Sequence, residues 1–418
     1  MSSKLPQLRE GGAEALNKHL HQTVARKETP ALFYLATNAK DTILSIQEGE
    51  MVFGDENSGQ VTEDTNLELF SQTKLVTCLS ALQLVDRGLV SLDSEEDIEK
   101  HLPEIGKLDL LKGYGDDGKP ILEKPTKKVT LRMLMSHTAG FVYAHAESAL
   151  SAYLKANPEV SIFHPSANLN TILKPLIFEP GTSWIYSTSI DFVGKLVERV
   201  SGERLDEYFQ NHIFAPLGLK TLTFYPTDTV KKNKMAVCMR KPDGSLATFP
   251  NGFGMGRPSE VDHISKELLL GGAGLFGTLA DYLVILRAIL QADPSSPHRS
   301  DKPIISPESY KELFTGCVQT QVGKAAIFEM VGRAAYFDPP ATENNVDHSV
   351  GWMINLEDFT GRRKAGSGSW SGAAKTNFWV DPKTGIAGIC GTQLLSPAPD
   401  PYFAIYAAYE KELYSNLE

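Results

Sequence analysis

The sequence predicts an α/β (α+β) fold, an antiparallel sheet flanked by helices and interrupted by an inserted, mostly helical domain. Three observations predict it. β-like runs lie near both ends of the chain, while helical patterns dominate the middle. At 418 residues the chain is longer than one hydrophobic core usually supports, so two domains or a large insertion are expected. A composition of 42% hydrophobic and 22% charged residues is that of an ordinary globular protein, not a fibrous or disordered one.

Taken in order, Ala13–Arg26 follows Gly11-Gly12 and reads as a helix. Ala31–Thr37 and Thr42–Glu48 flank the turn-prone Asn38-Ala39-Lys40-Asp41 and read as a hairpin. From about Ser71 to Leu219 the pattern is helical: Lys74–Arg87 (amphipathic), Leu131–Ser136, Ile190–Ser201 and Leu205–Ile213. Breaks fall at Gly113–Gly118 and at Glu179-Pro180-Gly181. Strands return at Val350–Leu356, Asn377–Val380 and Ile386–Thr392, and an amphipathic helix over Tyr402–Leu413 closes the chain. The division expected is therefore 1–70 with 221–418 as a discontinuous sheet domain and 71–220 as the insertion, with the site in the cleft between them.

Charge and cysteine content narrow the function classes. With 41 basic and 51 acidic residues the net charge is −10, and there is no basic stripe, so a nucleic-acid partner is not expected. Cys78, Cys238, Cys317 and Cys390 form no C-x-x-C pair and read as free thiols. The most apolar stretch, Leu268–Leu290, carries a Gly cluster, Asp281 and Arg287, so it reads as a buried loop and core helix rather than a membrane span. The first residues lack the apolar core of a signal peptide, and no Asn-x-Ser/Thr sequon occurs; a cytoplasmic protein is expected. Neither a metal nor a cofactor is called for, since the histidines show no ligand spacing.

Three motifs carry chemistry. Ser71-Gln72-Thr73-Lys74 is the one S-x-x-K of the chain, placed where β-like residues (Thr65–Phe70) give way to a helix. Three residues along a helix return nearly to the same face, so hydroxyl and amine can meet. Such a lysine accepts the serine proton only if its pKa lies well below that of a free amine. The plainer alternative is an N-cap serine and a solvated lysine. Pro180-Gly181-Thr182-Ser183-Trp184-Ile185-Tyr186-Ser187-Thr188 places a phenol at a loop end just before a helix, where a tyrosine bonded to backbone is the alternative. Gly366-Ser367-Gly368-Ser369-Trp370-Ser371-Gly372 precedes a strand, and its small residues allow close approach to a ligand; a flexible hairpin loop is the alternative.

SQTK, then PGTSWIYS, then a Gly-rich W-S-G before an F-W-V-D-P strand resembles the serine β-lactamase and penicillin-binding-protein-like superfamily. Within it the chain most resembles class C-like members, the family VIII carboxylesterases and the lovastatin side-chain acyltransferase group. Leu82–Asp93, Leu131–Gly140, Phe214–Leu219 and Gly271–Thr278 extend the likeness along nearly the whole chain. The resemblance implies a β-lactamase/transpeptidase-like fold, and an acyl-enzyme formed on Ser71 with Lys74 as proton acceptor or relay. It makes Tyr186 the general base and acid at the leaving group. It further implies an oxyanion hole from the N–H groups of Ser71 and Ala373. Trp370, Ser371, Gly372 and Thr188 would contact substrate.

Two departures favour esters over lactams. Thr188 stands where the β-lactamase pattern has Asn, and Trp370 where it has the Lys of Lys-Thr-Gly, whose charge faces a substrate carboxylate. The literal Lys383-Thr384-Gly385 follows Asp381-Pro382 between two β-runs and reads as a turn. Gly272-Ala273-Gly274-Leu275-Phe276-Gly277 matches G-x-G-x-x-G, but no βαβ unit follows; it reads as a wall of the site, with Thr278 and Asp281 capping the next helix. His137 is expected to bond backbone.

The expected function is a serine hydrolase or acyltransferase acting on small-molecule carboxylic esters. The alternatives are a β-lactamase or D-amino-acid peptidase, an acyltransferase of secondary metabolism, and a non-catalytic scaffold. Asn157–Lys174 and Tyr225–His263 are expected to shape the entrance, with Phe163, Phe249, Phe253 and Met255 as apolar liners suited to aromatic or fatty acyl groups, feruloyl esters among them.

Overall fold

The computed structural model describes residues 4–143, 148–160, 168–225, 227–249, 268–332, 340–397 and 400–418. Of the expected liners, Phe163, Phe253 and Met255 lie outside the described residues, as does the side chain of Phe249; His145 and His263 are outside them too.

Strands from both ends of the chain share one sheet. β1 (Ala31–Thr37) and β2 (Thr42–Gly49) form the expected hairpin around Asn38, whose Oδ1 accepts from the Lys40 and Asp41 amides. β3 (Val346–His348), β4 (Met353–Asn355), β5 (Gly368–Trp370), β6 (Thr376–Asp381) and β7 (Ile386–Gly391) complete a seven-stranded sheet of order β2-β1-β7-β6-β5-β4-β3. Each neighbouring pair is antiparallel. Along β1 successive side chains divide between two cores: Ala31, Phe33 and Leu35 face one, Leu32, Tyr34 and Ala36 the other. A strand wholly buried in this way must be apolar on both faces.

The outer face is covered by α1 (Gly12–Val24) and the C-terminal helix, Tyr402–Ser415, whose Tyr402, Ile405, Tyr406, Tyr409 and Leu413 recur at helical spacing. The inner face packs against the Leu279–Leu290 helix and continues into one core with the middle of the chain. That middle contains α2 (Thr73–Asp86), α3 (Leu131–Met135) and α4 (Ser189–Ser201).

Four expectations are corrected. α2 is not amphipathic: every residue from Thr73 to Leu84 is buried, because the helix is packed on all sides. The expected β-run before Ser71 shrinks to Leu67–Glu68, paired with Phe276–Gly277, and gives way to a tight turn at Phe70–Gln72. Val350–Trp352 is the bend joining β3 to β4, so the strand begins only at Met353. Leu205–Ile213 starts as a helix to Phe209 and continues as a wider π turn, Gln210–Phe214. The break at Gly113–Gly118 is a small hairpin of Leu110–Tyr114 with Pro120–Glu123. No helix among the described residues is long and apolar enough to cross a membrane.

Candidate active site

Ser71 sits in a tight turn at the foot of α2. Phe70, just before it, is buried with φ at +46°, a left-handed conformation that costs a side-chain-bearing residue about 1–2 kcal/mol. The Gly-rich segment holds that turn. Leu69 N–H donates to Leu275 O (3.0 Å), Thr73 Oγ1 receives Leu275 N–H (3.1 Å), and Thr77 Oγ1 donates to Gly271 O (2.7 Å). The G-x-G-x-x-G look-alike is therefore a structural wall, and Thr278 caps the next helix by accepting from Asp281 N–H. Asp281's own carboxylate instead accepts from the Lys220 and Thr221 amides.

From the other side comes the loop of Tyr186. The turn Ser136–Gly140 braces it: Gly181 N–H donates to Thr138 O and Ile185 N–H to His137 O. His137 has φ +61° and receives Ser187 N–H on Nδ1 (3.3 Å), the expected backbone bond. Gly140 (φ +90°) is required here, since a Cβ would lie 2.4 Å from Phe178 O.

These supports bring Tyr186 to the Ser71–Lys74 pair. Tyr186 OH donates to Ser71 Oγ at 2.6 Å, and Lys74 Nζ lies 3.2 Å from the same oxygen. Lys74 Nζ also lies 4.6 Å from the Tyr186 ring centre, within reach of a cation–π attraction. Its other two partners are the Gly272 carbonyl at 2.6 Å and Tyr143 OH at 2.9 Å. Lys74 Nζ thus meets three oxygen atoms, one for each of its remaining bonding directions. The Tyr143 and Tyr186 rings lie 5.3 Å apart, so Ser71, Lys74, Tyr143 and Tyr186 form one cluster. Burial pushes the Tyr143 phenol well up, so it stays protonated.

The Trp370 loop reaches the same place from the sheet. Gln72 Nε2 donates to Thr376 O (3.0 Å), and Gly372 N–H to Thr376 Oγ1 (3.2 Å). A Cβ on Gly372 would meet Leu69 O at 2.3 Å, so only glycine lets this turn lie against the serine turn. Ala373 follows it at the surface, and Ser371 is half-buried. The half-buried Trp370 indole is 5.1 Å from the Tyr186 ring. Around this pair stand Trp184, His137 and His348. Burial holds both imidazoles neutral, lowering His348 to about 4 and His137 well below its usual value. Lys383-Thr384-Gly385 is a turn between β6 and β7, with Gly385 at φ +78°.

Thr188 stands at the start of α4, buried, where its Oγ1 receives Lys174 Nζ at 3.3 Å. Tyr143, Lys174 and Asp191 were missed because each is a lone residue in its segment. The one signal for Tyr143 was its place six residues beyond His137 in the same loop.

A family model described as Beta-lactamase matches residues 17–411, nearly the whole chain. The chain belongs to the β-lactamase family. Among the family's curated members, lovastatin esterase of Penicillium rubens is 31% identical over 343 residues, 80% of this chain and 81% of that one. Monacolin J acid methylbutanoyltransferase of Aspergillus terreus is 28% identical, covering 83% of each chain. A solved simvastatin synthase (LovD) from Aspergillus terreus, in its LovD6 mutant form, superposes with a TM-score of 0.81 at 26% identity, over 97% of this chain and 95% of that one. The α/β fold with its large antiparallel sheet is thus that of the β-lactamase-like proteins.

Proposed function

We propose that this protein is a serine hydrolase or acyltransferase that forms an acyl-enzyme on Ser71 from small, uncharged carboxylic esters. The observation that carries this is the convergence of Tyr186 OH and Lys74 Nζ on Ser71 Oγ, at 2.6 and 3.2 Å. With the Lys74–Tyr186 pair one proton short, Ser71 Oγ attacks the ester carbonyl as its proton passes into that pair. Tyr186, the nearer group, returns that proton to the departing alcohol. The N–H groups of Ser71 and Ala373, which follow the packed residues Leu69 and Gly372 along the chain, would hold the oxyanion. Water or a second alcohol then attacks the acyl group, and the same proton path runs in reverse.

Trp370 favours an uncharged acyl or alcohol portion, because an indole occupies the place where a lysine would neutralise a carboxylate. The relatives include both an esterase and a methylbutanoyltransferase, which supports either acceptor. The same reading places the site between a sheet part (1–70 with 221–418) and the inserted 71–220 part. Ser71→Ala is expected to abolish both hydrolysis of a short nitrophenyl ester and labelling by a fluorophosphonate probe, with unchanged thermal unfolding. Hydrolysis retained by the folded variant would overturn the proposal.

A further inference from the structure

Two buried charges behind the site take no part in the chemistry above. Asp191 lies on α4 and Lys174 on the loop before Tyr186, each 2% exposed. Asp191 Oδ1 receives Gly272 N–H at 2.8 Å, and the carbonyl of that same residue receives Lys74 Nζ at 2.6 Å. A Cβ on Gly272 would sit 3.0 Å from both Asp191 oxygens and 3.2 Å from Lys74 Nζ. Bare glycine thus leaves carboxylate and ammonium facing each other with no side chain between. Lys174 and Asp191 share Thr188 as a partner: Lys174 Nζ is held by Thr188 Oγ1 and by Ile172 O at 3.4 Å, while Asp191 N–H donates to Thr188 O at 3.0 Å.

Resting on the ester-cleaving reading of this site, we propose that Asp191 and Lys174 are positioning residues. Asp191 orients Lys74 through the Gly272 residue, and the two charges together set the pH at which the Ser71–Lys74–Tyr186 unit becomes reactive.

The other titratable groups facing Lys74 add no charge of their own. On α2 the Cys78 thiol is pushed up to about 12 by burial. From the 136–143 loop, His137 and Tyr143 are both held neutral by burial. Tyr186 supplies the phenol of the mechanism. Burial raises the Asp191 carboxyl, while Lys74, the Gly272 N–H and Lys174 draw it back. Burial likewise lowers Lys174 to about 8, with Asp191 opposing. Behind the site the one residue contributes an anion and the other a cation. The two residues therefore act on Lys74 with opposite signs.

That opposition supplies the test. The rate of Ser71 phosphonylation by a fluorophosphonate is followed against pH in the wild-type protein, Asp191→Asn and Lys174→Gln. Asn keeps an oxygen for the Gly272 N–H but removes the charge, so the acidic limb is expected to move to lower pH by about one unit. Lys174→Gln is expected to move it about one unit higher, the lower end of the shift a neighbouring charge produces. A purely structural role would lower the rate at every pH without moving the limb. An unmoved limb, or limbs moved in the same direction, overturns the proposal. If one variant does not fold, the sign of the other's shift decides alone. A wild-type protein that takes no label sinks the ester-cleaving reading itself, and this inference with it.

Discussion

Gly372→Ala probes how the sheet holds the Trp370 loop against the nucleophile. The added Cβ would meet Leu69 O at 2.3 Å, Thr376 Oγ1 at 2.5 Å and the Leu69 carbonyl carbon at 3.2 Å. Carbon–oxygen contacts normally close to about 3.3 Å, so roughly 1 Å of retreat is needed. The Leu69 side cannot yield easily: its N–H is bonded to Leu275 O, and its carbonyl already accepts Gln72 N–H. The retreat therefore falls on residues 371–373 and carries the Ala373 amide away from Ser71. Misplacing a reacting group by about 1 Å costs about 100-fold, and losing one oxyanion donor costs about 100- to 1,000-fold in kcat, or about 2.7–4 kcal/mol. Overpacking adds about 1–3 kcal/mol of lost stability. The assay is kcat and KM for a nitrophenyl ester, measured well below the variant's unfolding temperature, beside a thermal melt. A folded variant with wild-type kcat would refute both the close packing and the assigned amide.

Tyr143→Phe removes one of the three oxygen atoms around Lys74 Nζ; kcat is expected to fall about 10-fold with KM nearly unchanged, and an unaltered kcat would remove Tyr143 from the site. Stability should fall as pH drops from about 6.5 toward 4. His348, lowered to about 4 by burial, stays neutral in the fold while the unfolded chain takes up a proton in that window. The contribution is present above pH ~6.5 and is lost at up to about 1.4 kcal/mol per pH unit. Thermal melts across that window should show a shallower slope for His348→Gln, and an unchanged slope would contradict the assignment.

Much of this molecule was legible because its signals are local. The Asn38 turn between β1 and β2 is sealed by the Asn38 side chain bonding its own loop, so four residues suffice to read it. The alternating cores of β1 follow from an unbroken apolar run. Ser71 and Lys74 could be paired because three residues of one helical turn bring them to 3.2 Å. α2 was misread because its polar members Thr73, Thr77 and Ser80 bury their hydroxyls by bonding nearby carbonyls. On a sequence such residues look like a solvated face. The Thr188–Lys174 contact is not legible either, since nothing in Tyr-Ser-Thr announces a buried lysine fourteen residues upstream.

The sequence by itself determined the elements, the three motifs and the absence of a lysine at position 370, since each depends on residues adjacent in the chain. Only the tertiary structure decided what surrounds the serine. Tyr143 and Gly272 reach Lys74 from 69 and 198 residues away, and Asp191 stands behind Gly272. Whether a hydroxyl, carbonyl or carboxylate meets an ammonium there is set by packing across those segments, and no spacing along the chain encodes it.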